Sequence, residues 1–476
     1  MVTKRSLALF HKAANEVPAY ADFLSSRGFD PSVIKTSHDF KKVPITSKKN
    51  YLQQYPLDRL VWQGNLETPL LMCSTSGSTG VPYYFPRNDR LSWQYSWLIE
   101  DYLKQGTKKD HQPTLVIIAF GMGVWIAGVI TLRAFEIAIN RMHYPASLLP
   151  VGYNKAEAIK ALSQLAPQFK QTIIVGYPPF VKEIIDEAGQ RQIDLAKLNV
   201  RLLFAAESFT ESFRDYVCKK TGADPVLDTL NIYGTADIGA MAYETPLSIL
   251  IRRLASKDPG LFKAIFGQIE KTPTLAQFNP RFVEFEAVEG EVLLSGDSAL
   301  PLIRYSVGDN GGVISYWAMH KILSKHGINL DKKMAEAGIK NISRRHPFVF
   351  VYERSNFAVS LHGIVIYPEF IKTALIDPEL SAYLTGKFTM LTKFDKRHNQ
   401  YLEINVEQQK NVSLTPRLRA LTKKIIRQKL VEKSSEFAEV SKSPGSRKLI
   451  KIAFWPYEHP RYFTLGVKQK WVVHDK

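Results

Sequence analysis

The chain has 476 residues, 45% hydrophobic and 23% charged, an ordinary balance for a globular protein and a length sufficient for two or more domains. Two cysteines, Cys73 and Cys218, exclude a disulfide framework or a cysteine metal cluster and point to a reducing compartment, the cytoplasm. The formal net charge of +18 fits a binder of anionic ligands; because Lys and Arg are dispersed and no basic–aromatic cluster occurs, a dedicated nucleic-acid arm is disfavoured.

The opening MVTKRSLALFHKAANEV contains only a short apolar run, LALF, too brief for a signal-peptide core. Residues 1 to about 60 read as helix and loop, punctuated by Pro18, Pro44 and Pro56. From about 70 to 245 apolar strands alternate with helices: LVIIAF, TIIVGY and VRLLFAAE are predicted strands, EAIKALSQLAPQF and PFVKEIIDEAGQR predicted amphipathic helices. That alternation predicts an α/β fold with a parallel sheet. TLVIIAFGMGVWIAGVITL, Thr114 to Leu132, is uncharged and nearly long enough to span a bilayer, but Gly121 and Gly123 divide it into a buried strand and a buried helix. Residues 248–280 are expected to be a helical insertion, followed by β-rich sequence (RFVEFEAV, GEVLLSG, PLIRYSVGDNGGVISY) and a second, basic insertion from 320 to 345. After Arg354, FAVSLHGIVIYPEFIKTAL, KFTMLTKFD, QYLEINVEQ and TPRLRALTKKIIRQKLVEK predict a small α+β domain.

Three segments carry candidate chemistry. CSTSGSTGVPYYFPR gathers Ser74, Thr75, Ser76, Gly77, Ser78, Thr79 and Gly80 into one loop whose hydroxyls and open amides suit phosphate oxygens. It is not a P-loop, since Gly77 and Gly80 are too close and Val81 stands where Lys is required; a small-residue surface turn is the plain alternative. NIYGTADIG follows a strand and offers Tyr233 to stack on a base, Thr235 to meet a phosphate and Asp237 to hold Mg²⁺, the alternative being a strand exit with a capping Asp. PLIRYSVGDNG is expected to put Asp309 on a tight turn after a strand, where a carboxylate accepts both ribose hydroxyls or merely closes a β-turn.

In their order and separation these pieces resemble the adenylate-forming superfamily of acyl-CoA synthetases, and within it the phenylacetate-CoA ligase family. STSGSTGVP resembles the family's phosphate loop, with Val81 in place of its Lys, and the ANEVPAYADFLSSRGFDPSVIKTSHDFKKVPITSKKNY segment matches the family's opening. FGMGVWIAG resembles an acyl-pocket stretch, implying that Phe120, Trp125 and Tyr177, with Phe180, line the pocket. FAAESFTESFRDYV resembles the adenine-contacting segment, with Ala206, Glu207 and Ser208 at the matching positions. NIYGTADIG resembles Y-G-x-[ST]-E, so Tyr233, Gly234 and Thr235 would bind nucleotide and Asp237 would take the metal-binding Glu position. Asp309 matches the ribose ligand, Arg354 the hinge Arg that also meets nucleotide, and Asn356 the second hinge position, where Asp is usual; GVKQKWV puts Lys468 on the catalytic lysine.

The resemblance implies a large N-terminal AMP-binding domain, 1–353, built on parallel α/β sheet layers with a β-rich subdomain, and a small mobile C-terminal α+β domain, 354–476, bearing Lys468. It implies ATP, Mg²⁺ and coenzyme A as cofactors and co-substrates, a small-molecule carboxylic acid as substrate, no nucleic-acid partner, no transmembrane segment and a cytoplasmic location, with a homodimer left open. The basic stretch with Arg417, Arg419, Lys423, Lys424 and Arg427 would suit coenzyme A phosphates or be a plain solvated face. Two alternatives stand beside the ligase: an adenylating enzyme that passes its acyl group to an amine, sugar or carrier-protein thiol, and an inactive nucleotide-binding homologue, which the departures at Val81, Asp237 and Asn356 motivate.

Overall fold

The computed structural model describes residues 3–67, 70–74, 83–107, 112–123, 126–267, 272–339, 345–352, 359–361, 364–395, 400–434, 437–438, 441, 449–464 and 471–472. The chain opens with helices α1 (Lys4–Glu16) and α2 (Pro18–Ser25), the two-residue strand β1 (Thr46–Ser47) and helix α3 (Leu57–Leu60). A hairpin follows, β2 (Leu71–Ser74) and β3 (Tyr84–Arg87), in antiparallel register with Ser74 opposite Tyr84, so that the Ser/Thr/Gly loop is its connection.

Helix α4 (Asp89–Lys104) then leads into the alternating section: β4 (Thr114–Ala119), α5 (Ile126–Met142), β5 (Ala146–Pro150), α6 (Lys155–Lys160), β6 (Gln171–Gly176), α7 (Pro178–Gln190), β7 (Val200–Ala205), α8 (Glu211–Thr221) and β8 (Thr229–Thr235). The order β5-β4-β6-β7-β8 is parallel throughout. Every residue of β4 and β6 is buried, which is why these strands read as apolar runs rich in Val and Ile without alternation: helices cover both faces. The uncharged stretch from Thr114 thus divides into β4 and α5, and among the described residues no helix is long and apolar enough to cross a membrane.

After β9 (Gly239–Tyr243) come helices α9 (Pro246–Ala255) and α10 (Pro259–Phe266), each begun by a capping side chain, Thr245 on the Ser248 amide and Asp258 on the Leu261 amide. The expectation of a wholly helical insertion fails at its end, where β10 (Thr274–Gln277) enters the sheet between β9 and a later strand. Strands β11 (Val283–Val288), β12 (Glu291–Gly296) and β13 (Leu302–Ile314), helices α11 (Tyr316–Lys325) and α12 (Leu330–Glu336), and β14 (Phe348–Val351) complete the large lobe. The sheet continues antiparallel beyond β8 as β9-β10-β14-β13-β12-β11. The two segments read as separate insertions share one core: Phe262 and Phe266 of α10 pack with Met319 of α11, Met334 of α12 and Phe348 of β14.

The remaining chain forms a core of its own: β15 (Val359–Leu361), β16 (Ile364–Ile366), α13 (Pro368–Leu375), α14 (Pro378–Ser381), β17 (Leu384–Phe394), β18 (Gln400–Gln408), α15 (Pro416–Lys433) and β19 (Ile450–Trp455). Its three-stranded sheet, β17-β18-β19, packs Phe388, Met390 and Ile404 against Phe370, Ile426 and Leu430 of the helices. The fold is therefore α/β, a large lobe with parallel and antiparallel sheet regions and a small α+β lobe.

Candidate active site between two lobes

The parallel strands deliver the candidate residues by construction. Side chains just beyond the carboxyl ends of neighbouring parallel strands face one crevice, the usual ligand position in an open α/β sheet. Phe120 follows β4, Tyr177 follows β6, Ala206, Glu207 and Ser208 follow β7, and Tyr233, Gly234 and Thr235 end β8. Asp237 sits in the turn joining β8 to β9. A Cβ on Gly234 would stand 2.7 Å from the Gly239 carbonyl oxygen, so this hairpin closes only around a glycine.

Asp309 arrives from the antiparallel side. The expected tight turn is absent: Asp309 lies inside β13, at the point where that strand leaves β12 (Glu291 opposite Asn310) and joins β14 (Gly311 opposite Val351). Gly308, at φ +79°, supplies the local bend without a chain reversal. The Tyr233 hydroxyl donates to Asp309 Oδ2 at 2.6 Å, and the Tyr305 hydroxyl, four residues earlier on β13, donates to Asp237 Oδ2 at 2.7 Å. Two reciprocal Tyr–Asp bonds thus stitch β8 to β13.

The hairpin that carries the Ser/Thr/Gly loop is fixed to the same place. Arg87 at the end of β3 is buried; its Nη1 donates to the Asp237 carbonyl at 3.1 Å and its Nη2 to the Ala236 carbonyl. Burial lowers its pKa to about 10, with the Cys73 and Asp237 sides opposing that shift. Burial, reinforced by the Asp237 charge, raises Tyr83 at the loop's exit to about 12, and its hydroxyl donates to the Leu52 carbonyl at 2.9 Å. The loop base, Asp237, Tyr305 and Asp309 therefore converge.

Phe120 and Tyr177 are both buried in the core of the parallel half, as is Phe180, whose ring centroid lies 5.4 Å from that of Tyr153. Ala206 is held in the left-handed region at φ +76°, unusual for a residue with a Cβ. Glu207 turns toward the small lobe, where Lys372 of α13 pairs with it; the Asn231 side-chain amide holds the Glu207 carbonyl at 3.0 Å. A cavity between the lobes is lined by Glu207, Ser208 and Phe209 on one side and Lys372, Gly386 and Trp471 on the other. Beside it, Lys387 of β17 meets Glu183 of α7 at 2.6 Å and Glu407 at 3.6 Å. Burial alone would depress the Lys387 ammonium, but the two carboxylates hold its pKa above the ordinary value.

The Ser74 backbone ends β2, whereas Thr75, Ser76, Gly77, Ser78, Thr79 and Gly80 lie outside the described residues, as do Val81, Trp125, Arg354, Asn356 and Lys468. Sequence reading missed Arg87, Tyr305 and Lys372. Arg87 and Tyr305 sit in the quoted stretches PYYFPR and LIRYSVGD, but only the strand partners reveal that they support the Asp237 turn. Lys372 lacks any motif.

The described residues contain no cluster of three His, Cys, Asp or Glu side chains able to cage a metal. Asp237 fits the other way of holding Mg²⁺, in which one or two carboxylates act together with substrate phosphates. Its Oδ2 accepts from Tyr305, and its Oδ1 receives none of the hydrogen bonds found among the described residues.

No protein-family profile matches the chain. The fold is that of the adenylate-forming acyl-CoA ligases: a solved 2-hydroxyisobutyryl-CoA ligase in its postadenylation state superposes with a TM-score of 0.64 at 15% identity, covering 99% of this chain and 88% of the other. An acyl acid amido synthetase superposes with a TM-score of 0.57 at 12% identity, covering 99% and 90%. In sequence the chain is similar to the phenylacetate-coenzyme A ligase of Pseudomonas putida, 24% identical over 318 residues, which are 62% of this chain and 62% of that enzyme. The match therefore spans less than two thirds of the relative's length. The resemblance drawn from the motifs is borne out by these comparisons.

Proposed function

We propose that the chain is an ATP-dependent acid–CoA ligase of the phenylacetate-CoA ligase kind. The observation that carries this reading is the convergence of the Ser/Thr/Gly hairpin, Asp237 and Asp309 through Arg87, Tyr305 and Tyr233. In the first step a substrate carboxylate oxygen attacks the α-phosphorus of ATP in line; the bond to the β-bridging oxygen breaks, and pyrophosphate leaves with its electron pair. In the second, the thiol of coenzyme A attacks the acyl carbon, loses its proton, and AMP departs.

The difficulty of the first step is that one anion approaches another. Residues 74–80 would restrain the β- and γ-phosphates with amides and hydroxyls, Asp309 would accept the ribose hydroxyls, Tyr233 would cover the base beside Ala206–Ser208, and Lys468 would neutralise the charge between carboxylate and α-phosphate. Asp237 would hold Mg²⁺ together with the phosphates, and the ion would supply neutralisation of phosphate charge. Phe120, Trp125 and Tyr177 would line the acyl pocket, and Arg354–Asn356 would serve as the hinge between the domains 1–353 and 354–476.

The test is pyrophosphate release over a panel of carboxylic acids, with and without coenzyme A. Acid-dependent release, and thioester formation on adding coenzyme A, are expected; no release with any acid overturns the reading. Lys468→Ala should lower adenylation on the order of 10²–10³-fold or more without shifting the unfolding midpoint. A second reading, transfer to an amine, draws on the amido synthetase that shares the fold. Adenylation without thioester, with amide formed when an amine is supplied, would select it.

A further inference from the structure

The contact between Lys372 and Glu207 crosses the lobes in the lining of the cavity. Lys372 lies on α13 of the small lobe, and its ammonium also sits 4.4 Å from the centroid of the Trp471 ring. The pair is well shielded, with side-chain exposures of 15% for Lys372 and 5% for Glu207. A cation shared between a carboxylate and an indole face in such a site is strongly oriented, because either partner alone leaves part of its charge uncompensated.

Each end of the bridge is anchored in its own lobe. Glu207 follows Ala206, whose left-handed backbone fixes the direction of the strand exit, and its carbonyl is held by Asn231. The Trp471 ring lies 4.7 Å from Phe388, its carbonyl accepts the Met390 amide at 2.7 Å, and Val472 bridges Met390 in parallel. The bridge therefore joins the end of β7 to β17, and Trp471 stands three residues after Lys468 in sequence.

We propose that Lys372 is a positioning residue for adenylation, docking the small lobe on Glu207 beside Trp471, which follows Lys468 by three residues in sequence; the proposal rests on the function argued above. It predicts that the bridge serves the first step and is dispensable in the second.

Purified full-length Lys372→Met and Lys372→Arg proteins test this in two ways. First, adenylation is read as acid-dependent pyrophosphate release, and the second step as thioester formation from supplied acyl-adenylate and coenzyme A. Lys372→Met should lower kcat for adenylation about 10–100-fold with little change in KM for ATP, spare the second step, and be largely rescued by Lys372→Arg. Equal loss in both steps, or a change in KM alone, overturns the proposal. Second, amide hydrogen exchange without any substrate should rise at residues 206–210 in Lys372→Met while β18 stays protected. Unchanged exchange at 206–210 overturns the docking role, and a rise that spreads through β18 does so too, since it marks a merely structural lysine. If no acid supports pyrophosphate release by the unaltered chain, the ligase reading falls, and the exchange measurement alone still decides whether Lys372 docks the lobes.

Discussion

The parallel and antiparallel halves of the large sheet are built on different principles. Strands β4, β6 and β7 are buried nearly throughout and mostly apolar, with Thr114, Gln171, Thr172 and Arg201 as buried polar exceptions near their amino ends, and their candidate chemistry lies beyond their carboxyl ends. In the antiparallel half, functional groups stand inside the strands: Tyr305 and Asp309 are interior residues of β13, which itself changes neighbours midway. A parallel strand therefore offers the site the run of residues at its carboxyl end, whereas the bent antiparallel strand offers interior residues, Tyr305 and Asp309, on either side of a bend. The candidate site sits where the halves meet, with Tyr233–Asp309 and Tyr305–Asp237 as its crossing bonds.

The largest effect is expected where the halves are joined by charge. Behind the site, Arg214 of α8 meets both oxygens of Glu244 at 2.9 and 2.8 Å, while Arg252 of α9 meets Glu211 at 2.7 Å and Glu244 at 3.5 Å. Arg214, Arg252 and Glu244 are buried, so removing the shared carboxylate leaves two buried guanidinium groups with Glu211 as their remaining carboxylate partner. Glu244→Ala should cost about 3–5 kcal/mol in a urea unfolding measurement. A loss below about 1 kcal/mol would mean that the two halves hold together by packing alone.

Acid should attack the same joint. Burial alone would raise the Glu211 pKa, but Arg214, Arg252 and Arg253 overcome that and set it at about 2 against an ordinary 4.5. A depressed folded-state pKa means that the unfolded chain binds the extra proton. The stability contributed by Glu211 is thus complete above about pH 4.5 and is lost as pH falls through about 2, amounting to about 3 kcal/mol. Glu211→Gln should flatten the pH dependence of the unfolding free energy across that window.

The parallel half was legible because burial on both faces writes itself into composition: LVIIAF, TIIVGY and VRLLFA admit no alternation. The strand-end motifs NIYGTADIG and FAAES were legible for a related reason, since a strand followed by Gly, hydroxyl and carboxylate residues is a local pattern. Strand β10, TLAQ, was hidden because four residues with polar ends look like the tail of a helical insertion, and only pairing with β9 and β14 makes them a strand. Asp309 was assigned its position in the motif but not its backbone, because GDNGG is as good a turn as it is a bend within a strand. Arg87 and Lys372 escaped altogether: each acts through a partner roughly 150 residues away in sequence, and nothing within one segment encodes such a contact.

Tyr305→Phe would sharpen the crossing-bond comparison. It leaves the buried ring and removes the hydroxyl that orients Asp237, so the fold should persist while the apparent Mg²⁺ affinity in pyrophosphate release weakens about 10-fold. Tyr233→Phe removes the matching bond on Asp309 and should instead raise KM for ATP. If both variants shift the same parameter, the two aspartates do not divide the metal and the ribose between them.

The smallest effect belongs to Ala206. A left-handed backbone costs an L-residue roughly 1–2 kcal/mol, which Ala206→Gly would release, while the freer unfolded glycine would take back about 0.4–1 kcal/mol. The net gain in stability should therefore lie between zero and about 1.6 kcal/mol. Function should move the other way: the strained residue fixes how β7 hands Glu207 to Lys372, and a glycine there lets the strand exit wander. A more stable protein with weaker adenylation would identify φ +76° at Ala206 as strain kept for positioning, whereas a gain in both would make it incidental to the site.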